Sequence, residues 1–238
     1  MKIKMIIASA FAALLVLGIG QGAFVFGKKK EVKFTVRIEN ISPAAGLKAE
    51  DGTNYPFAVS PGLYVVTSKK MDFFKSGKAA SAGLERQAED GNPEVLAKSL
   101  LTKIGSSYMG VFNTPVGAEG PAPILPGGVY EFTFSASEGM KLNLIAMYGQ
   151  SNDLFYAPSA AIDLFSKGEA LSGDITDRFI LWDAGTEVNQ APGIGNEQAP
   201  RQGGPNTGTA ENGRVGSVMD GFKYPLTQDV LKITITAE

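Results

Sequence analysis

The sequence predicts a mainly β domain with a short helical insertion. Three stretches alternate apolar and polar residues at the period of a half-buried strand: Val32, Phe34, Val36 and Ile38; Tyr130, Phe132 and Phe134; and Leu231, Ile233 and Ile235. Only Phe73 to Ile104 carries apolar residues at helical spacing. Hydrophobic residues make up 44% of the 238-residue chain and charged residues 19%, which is enough apolar material for a substantial core and too little charge for a disordered chain. One large β domain is expected over 31–238.

Residues 1–22 read as a signal peptide. Lys2 and Lys4 give a positive start, Ile6 to Ile19 supply an apolar stretch, and Gly20 and Gly22 place small residues before a cut at Ala23. The apolar run continues through Phe26 toward the ~20 residues that span a bilayer, and Lys28, Lys29 and Lys30 follow it. The alternative is therefore an uncleaved anchor reaching to about residue 30. Both readings imply export, to the periplasm, the cell surface or the extracellular space, with membrane contact confined to this segment if it is retained.

From Val32 to Glu39 the alternation describes a strand that Ser42-Pro43 breaks, and Asp51-Gly52 and two prolines make Ala44 to Pro61 a loop before an apolar strand at Gly62 to Thr67. Two short helical segments follow between Phe73 and Ile104; Asn92 caps the second, with Pro93 at its first position. Gly110 to Gly128 is too rich in proline and glycine for a helix and is expected as a loop or strand edge. Val129 to Ala136 is a strand, Ser137-Glu138-Gly139 a hairpin turn, and Met140 to Tyr148 a central strand covered on both faces. Ile162 to Phe165 and Asp177 to Trp182 are short apolar runs around glycine turns. Thr186 to Gly216 has no periodicity and few large apolar residues, as expected of a binding element or a mobile segment. Leu231 to Thr236 closes the domain as a clean strand.

The chemistry concentrates between Leu142 and Glu187. Two apolar runs there end in small polar loops carrying Asp153 and, in the second, Asp183 and Glu187. Separate acids of this kind are ordinarily solvated loop residues. If the two runs are neighbouring strands, the loops share an edge and the three carboxylates can offer hard oxygens to a hard cation such as Ca2+. Without a cation they would repel and raise one another's pKa.

The wording of these loops, Ser151-Asn152-Asp153-Leu154-Phe155 and Leu181-Trp182-Asp183-Ala184-Gly185-Thr186-Glu187, resembles the spondin domain of F-spondin and mindin, which is also found alone in many bacterial secreted proteins. The likeness extends to Phe34 through Asn40, Ser60-Pro61-Gly62, Gly83-Leu84, Ala88-Glu89-Asp90-Gly91, Pro126-Gly127-Gly128 and Lys232-Ile233-Thr234-Ile235, and so covers roughly 32–238. The resemblance implies an antiparallel β-sandwich related to calcium-dependent lipid-binding domains. It also implies a Ca2+ held by Asp153, Asp183 and Glu187, and a role in adhesion or matrix binding. An Asp often stands at the position of Glu187 in the family, and its animal members carry cysteines that this chain lacks, which fits a bacterial member better.

Composition narrows the function. A formal charge of −2, made two units more negative by loss of Lys2 and Lys4, gives no clustered basic surface for nucleic acid. Histidine and cysteine are absent, so the commonest general base, thiolate nucleophile and zinc ligands are missing. The expectation is a non-catalytic, calcium-binding adhesion or ligand-binding module, its partner an extracellular or envelope protein or a glycan. One alternative is a carbohydrate-binding module with a structural calcium, offering the rings of Tyr148, Phe155, Tyr156 and Trp182. A weaker one is a glycosidase using two of the acids.

Overall fold

In a computed structural model, described over residues 30–104 and 108–238, two antiparallel sheets face each other and two helices cover the outer face of one of them. The principal strands are β1 (Glu31–Asn40), β2 (Val59–Thr67), β3 (Met109–Phe112), β4 (Val129–Ser137), β5 (Lys141–Tyr148), β6 (Leu154–Pro158), β7 (Phe179–Asp183) and β8 (Leu231–Ala237). The expected leader lies outside the described residues. Among these, no helix is long and apolar enough to cross a membrane.

The first sheet runs Gly173–Asp174, β8, β1, β4. β1 sits at its centre with Phe34 opposite both Phe134 and Ala237, so the alternation read at Val32 to Ile38 becomes one inward row, buried at Phe34, Val36 and Ile38 and half-buried at Val32. The second sheet runs Gly216–Ser217, β7, β6, β5, β2, β3. Between the sheets lie Phe34, Val36, Ile38, Tyr130, Ile233 and Ile235 from one and Val66, Leu142, Leu144, Tyr148, Leu154 and Tyr156 from the other. The mainly β sandwich with a helical insertion is therefore what forms.

The Ser137-Glu138-Gly139 turn is present, with the Met140 N–H donating to the Ser137 carbonyl at 3.1 Å, but it does not join a hairpin. β4 pairs with β1 and β5 pairs with β2 and β6, so the turn carries the chain from one sheet to the other. The apolar residues on both faces of β5 explain why. Leu142, Leu144 and Ala146 face the other sheet, while Ile145 faces the helices, and only a strand central to the second sheet can bury both sets.

Helix α1 (Ala82–Asp90) starts where the Ser81 hydroxyl accepts the Leu84 N–H, and ends at Gly91 in the left-handed region, φ 63°. Helix α2 (Glu94–Ile104) has Asn92 Oδ1 accepting the Glu94 N–H at 2.9 Å, the cap that the sequence predicts. Leu84, Ala88, Leu96, Leu100 and Ile104 pack on Leu63, Val65, Ile145, Phe155 and Ala157. A polar clasp fixes α1 in register. The buried Gln87 amide donates to the Pro61 carbonyl at 3.0 Å and the Ser60 hydroxyl at 3.2 Å, at the irregularity in β2 between Val59 and Gly62. α1 thereby reaches the sheet end where the acidic loops emerge, with its last turn beside them.

Candidate metal centre

β5 and β6 are joined by a tight turn at 149–153, and β6 pairs antiparallel with β7 so that Leu154 lies opposite Asp183. The two apolar runs expected as neighbouring strands, β5 and β7, are separated by β6; Asp153 and Asp183 reach one end of the sheet because Asp153 immediately precedes β6 and β6 pairs with β7. The turn is held from within. The Ser151 hydroxyl donates to the Tyr148 carbonyl at 2.6 Å and accepts the Leu154 N–H at 3.1 Å, and the Ala184 N–H donates to the Asp153 carbonyl.

Asp153 is fully buried. Its Oδ2 accepts three hydrogen bonds, from the Thr186 N–H at 2.7 Å, the Glu187 N–H at 3.1 Å and the Thr186 hydroxyl at 3.1 Å. Its Oδ1 is buried and has no partner among the described residues. Burial first, and then the nearby charge of Asp183, push this carboxyl up to about 7 against the three donors that oppose the shift. Asp183 accepts from the Gly185 N–H at 2.6 Å and the Asn189 side chain at 2.8 Å, and burial still raises its pKa.

The third acid at this point is Glu211, not Glu187. Carboxylate oxygens of Asp153, Asp183 and Glu211 all lie within 4.8 Å of one another. That is the span expected of ligands around one Ca2+, since oxygens at ~2.4 Å on opposite sides of an ion stand ~4.8 Å apart. Glu211 is exposed; burial, then Asp183 and Asp220, raise its pKa. It arrives on the returning limb of the 188–215 segment, where the Glu211 N–H donates to the Thr186 carbonyl at 2.9 Å and the Gly213 N–H to the Gly185 carbonyl at 2.7 Å. Glu187 points elsewhere. It is buried, its Oε1 accepts the Gly208 N–H at 2.9 Å, and its backbone bridges Ala210. Glu211, an isolated acid among Gly, Asn, Thr and Ala, carries no local sign of this role, because only the pairing of the two limbs sets its position.

The long segment is tied by amides rather than by apolar packing. Gln198, wholly buried, donates to the carbonyls of Gln190 and Ala191 and accepts the Gly193 N–H, and Arg201 reaches Gln150 and Gln198. Glu197 accepts from the Thr209 N–H and hydroxyl. These bonds span the loop from 190 to 209 and give it a defined path over the acids.

The donor set fits a hard divalent cation. It offers three carboxylates, that of Asp153 with one buried oxygen unpartnered among the described residues, and no nitrogen or sulfur ligand. Of the rings named for sugar stacking, Tyr148, Phe155 and Tyr156 are buried, and Trp182, half-buried, packs edge-on against Phe74 at 4.9 Å with its indole N–H donating to the Ala157 carbonyl. No model of a known protein family matches the chain, and no curated protein matches it.

Proposed function

We propose that this chain is an exported, non-catalytic calcium-binding module of the spondin type, acting in adhesion or ligand binding in the cell envelope or outside the cell. The observation that carries the reading is the buried, unpartnered Oδ1 of Asp153 beside the carboxylates of Asp183 and Glu211. A calcium ion would supply the positive charge that lets all three stay ionised. The protein's own part is to hold the acids in place: Thr186 and Glu187 fix Asp153, Gly185 and Asn189 fix Asp183, and the Thr186 carbonyl fixes the limb bearing Glu211. Because these bonds tie three separate segments, calcium stabilises the folded chain by mass action, about 2.7 kcal/mol at a hundredfold excess over Kd. The acids sit among backbone donors at a loop edge, with no histidine or cysteine to relay a proton, which supports binding over catalysis.

The test is a thermal melt of chelator-stripped protein with and without millimolar calcium, read by Trp182 emission. Calcium is expected to raise Tm by several degrees, and magnesium, which demands a smaller octahedral shell, by much less. Asp183→Asn keeps an oxygen for the Gly185 N–H, so its calcium-free Tm should stay within a few degrees of wild type while the calcium response disappears. Equal wild-type melts with and without calcium, together with no heat of binding by calorimetry, would overturn the reading.

A further inference from the structure

The edges of the two facing sheets are unequal. Three are short: two residues at Gly173–Asp174, two at Gly216–Ser217 and four in β3. The remaining edge is β4, nine residues long, which pairs with β1 from Ser137 opposite Glu31 to Val129 opposite Glu39 without a register shift. It holds no lysine, proline or glycine. A long, regular edge templates further strand pairing unless charge, proline or a bulge protects it.

Neighbouring bonds fix which way its backbone faces. In β1 the Lys33 carbonyl accepts the Glu238 N–H, and beyond the strand the Ile41 N–H donates to the Val230 carbonyl, so odd-numbered residues bond toward β8. Asn40 bonds with Gly127 and Gly128, so even-numbered residues bond toward β4. Phe34, Val36 and Ile38 are therefore hydrogen-bonded to Phe134, Phe132 and Tyr130, and the N–H and C=O groups of Val129, Glu131, Thr133, Ser135 and Ser137 point away from the sheet. Two contacts agree: the Val129 carbonyl accepts the Val116 N–H at 2.8 Å, and the Thr133 carbonyl accepts the Tyr64 hydroxyl at 3.3 Å. The Val116 loop thus covers the edge at Val129, while among the described residues nothing pairs the outward backbone groups of Glu131 and Ser135.

Apolar surface is open along the same edge. Phe34, Val36 and Ile38 of β1 are buried, whereas Phe132 and Phe134 of β4, on the same inner face, are half-buried. A cleft of about 410 Å³ opens beside Phe134 between the sheets, lined by Tyr64, Val66, Met109 and Met140. The one charged side chain of β4, Glu131, is already paired with Arg37 at 2.7 Å, so no free charge on the strand selects a basic or an acidic partner.

We propose that β4 pairs antiparallel with β4 of a second copy of this chain, joining the first sheets of two molecules across a two-fold axis at Phe134. The uncovered edge runs from Glu131 to Ser137, and Phe134 is its midpoint. In that register Thr133 lies opposite Ser135 of the partner subunit and exchanges backbone bonds with it, hydroxyl beside hydroxyl, and Glu131 lies opposite Ser137 of the partner subunit, so no like charges meet. The two Phe134 rings face each other and close both clefts. A register centred on Thr133 would instead bring Ser137 of the partner subunit onto Val129, which the Val116 loop already occupies. The edge is thus complementary to itself, as an isologous interface requires. The calcium ligands proposed above take no part in it.

Sedimentation velocity of the purified chain at about 100 µM should show a species of twice the monomer mass that dissociates on dilution, alike in calcium and in chelator, so that failure of the calcium reading leaves this result standing. Thr133→Pro removes an outward N–H and keeps the bonds to β1, a position where edge strands tolerate proline; it should weaken association by roughly tenfold or more with Tm within a few degrees of wild type. The chain has no cysteine, so one introduced thiol reports the register. Phe134→Cys sets two thiols across the axis at a non-hydrogen-bonded pair, where Cα atoms stand about 4.5 Å apart and a disulfide can close. Phe132→Cys, on the same face, keeps its thiols about 13 Å apart along the strands. Under mild oxidation with copper phenanthroline the first should cross-link and the second should not, and this pair decides the matter should Thr133→Pro not fold. A wild-type chain that stays monomeric at about 100 µM, whether its edge takes a different polypeptide or none, association undiminished in Thr133→Pro, or equal cross-linking of the two cysteine variants would overturn the proposal.

Discussion

The carboxylate of Asp153 accepts the backbone N–H of Thr186 at 2.7 Å, thirty-three residues away in the chain. One oxygen of the acid is thereby spent on fixing the β7 turn and the other is left without a partner among the described residues, in a carboxylate that clusters with those of Asp183 and Glu211. A structural anchor and a candidate ligand are the same side chain.

This arrangement separates the roles of Glu211 and Glu187. Glu211→Gln is expected to weaken calcium binding by tenfold or more while changing calcium-free stability by under about 0.5 kcal/mol, because the side chain is exposed. Glu187→Gln should leave calcium affinity within about threefold and cost roughly 1–2 kcal/mol, since it weakens a charged acceptor for the Gly208 N–H. Calorimetry and urea melts of the two variants measure both. The reverse pattern would return Glu187 to the ligand set.

Stability should depend on pH in a direction set by burial. Asp153 moves from 3.8 to about 7 and Glu89 from 4.5 to about 7, in each case mainly through desolvation. The folded chain holds these protons more tightly than the unfolded chain, so the stability they confer is complete below about pH 4 and lost as pH rises through about 7. Each group contributes a slope of up to ~1.4 kcal/mol per pH unit in that window. Calcium should remove the part due to Asp153 and leave that due to Glu89. Urea melts between pH 5 and 8, with chelator or calcium, would show it; calcium-free stability that rises across this range contradicts the assignment.

Gly185 has φ 67°, and a Cβ there would stand 2.5 Å from the Arg214 nitrogen. Gly185→Ala is therefore expected to cost more than about 2 kcal/mol, combining a strained backbone with a backbone clash. It should also push away the limb bearing Glu211 and lower calcium affinity, both measurable on one purified variant.

Trypsin should cut the wild-type chain slowly at Arg201, whose guanidinium is bound to Gln150, Gln198 and the Gly195 carbonyl. Gln198→Ala leaves two backbone groups, the Gly193 N–H and the Gln190 carbonyl, without this partner, each worth about 1–3 kcal/mol when buried. Cleavage at Arg201 should then accelerate at least tenfold while β8 stays intact. Equal rates would show that the glutamine does not hold the segment.

The sequence by itself determined most of the long strands, the cap of α2 and the first two acids. The period-two rows of Val32 to Ile38 and Leu231 to Ile235 become paired central strands because a half-buried sheet needs that alternation. Asn92 caps α2 because its side chain reaches a donor only two residues away. Asp153 and Asp183 follow apolar runs that are visible in the sequence, although β6, inserted between those two strands, is what brings the acids together. Local or periodic causes of this kind can be read in one dimension. Only the tertiary structure decided the turn at Ser137 to Gly139, which joins two sheets because β5 must bury both faces. It also decided the path of the 188–215 segment, which composition suggested was a binding element or a mobile segment and which amide hydrogen bonds tie down. The exchange of Glu187 for Glu211 has the same origin. Which acid completes the cluster depends on the register between Gly185-Thr186 and Glu211 to Gly213, and that register is set by bonds between residues about 25 positions apart that leave no periodic mark on the sequence.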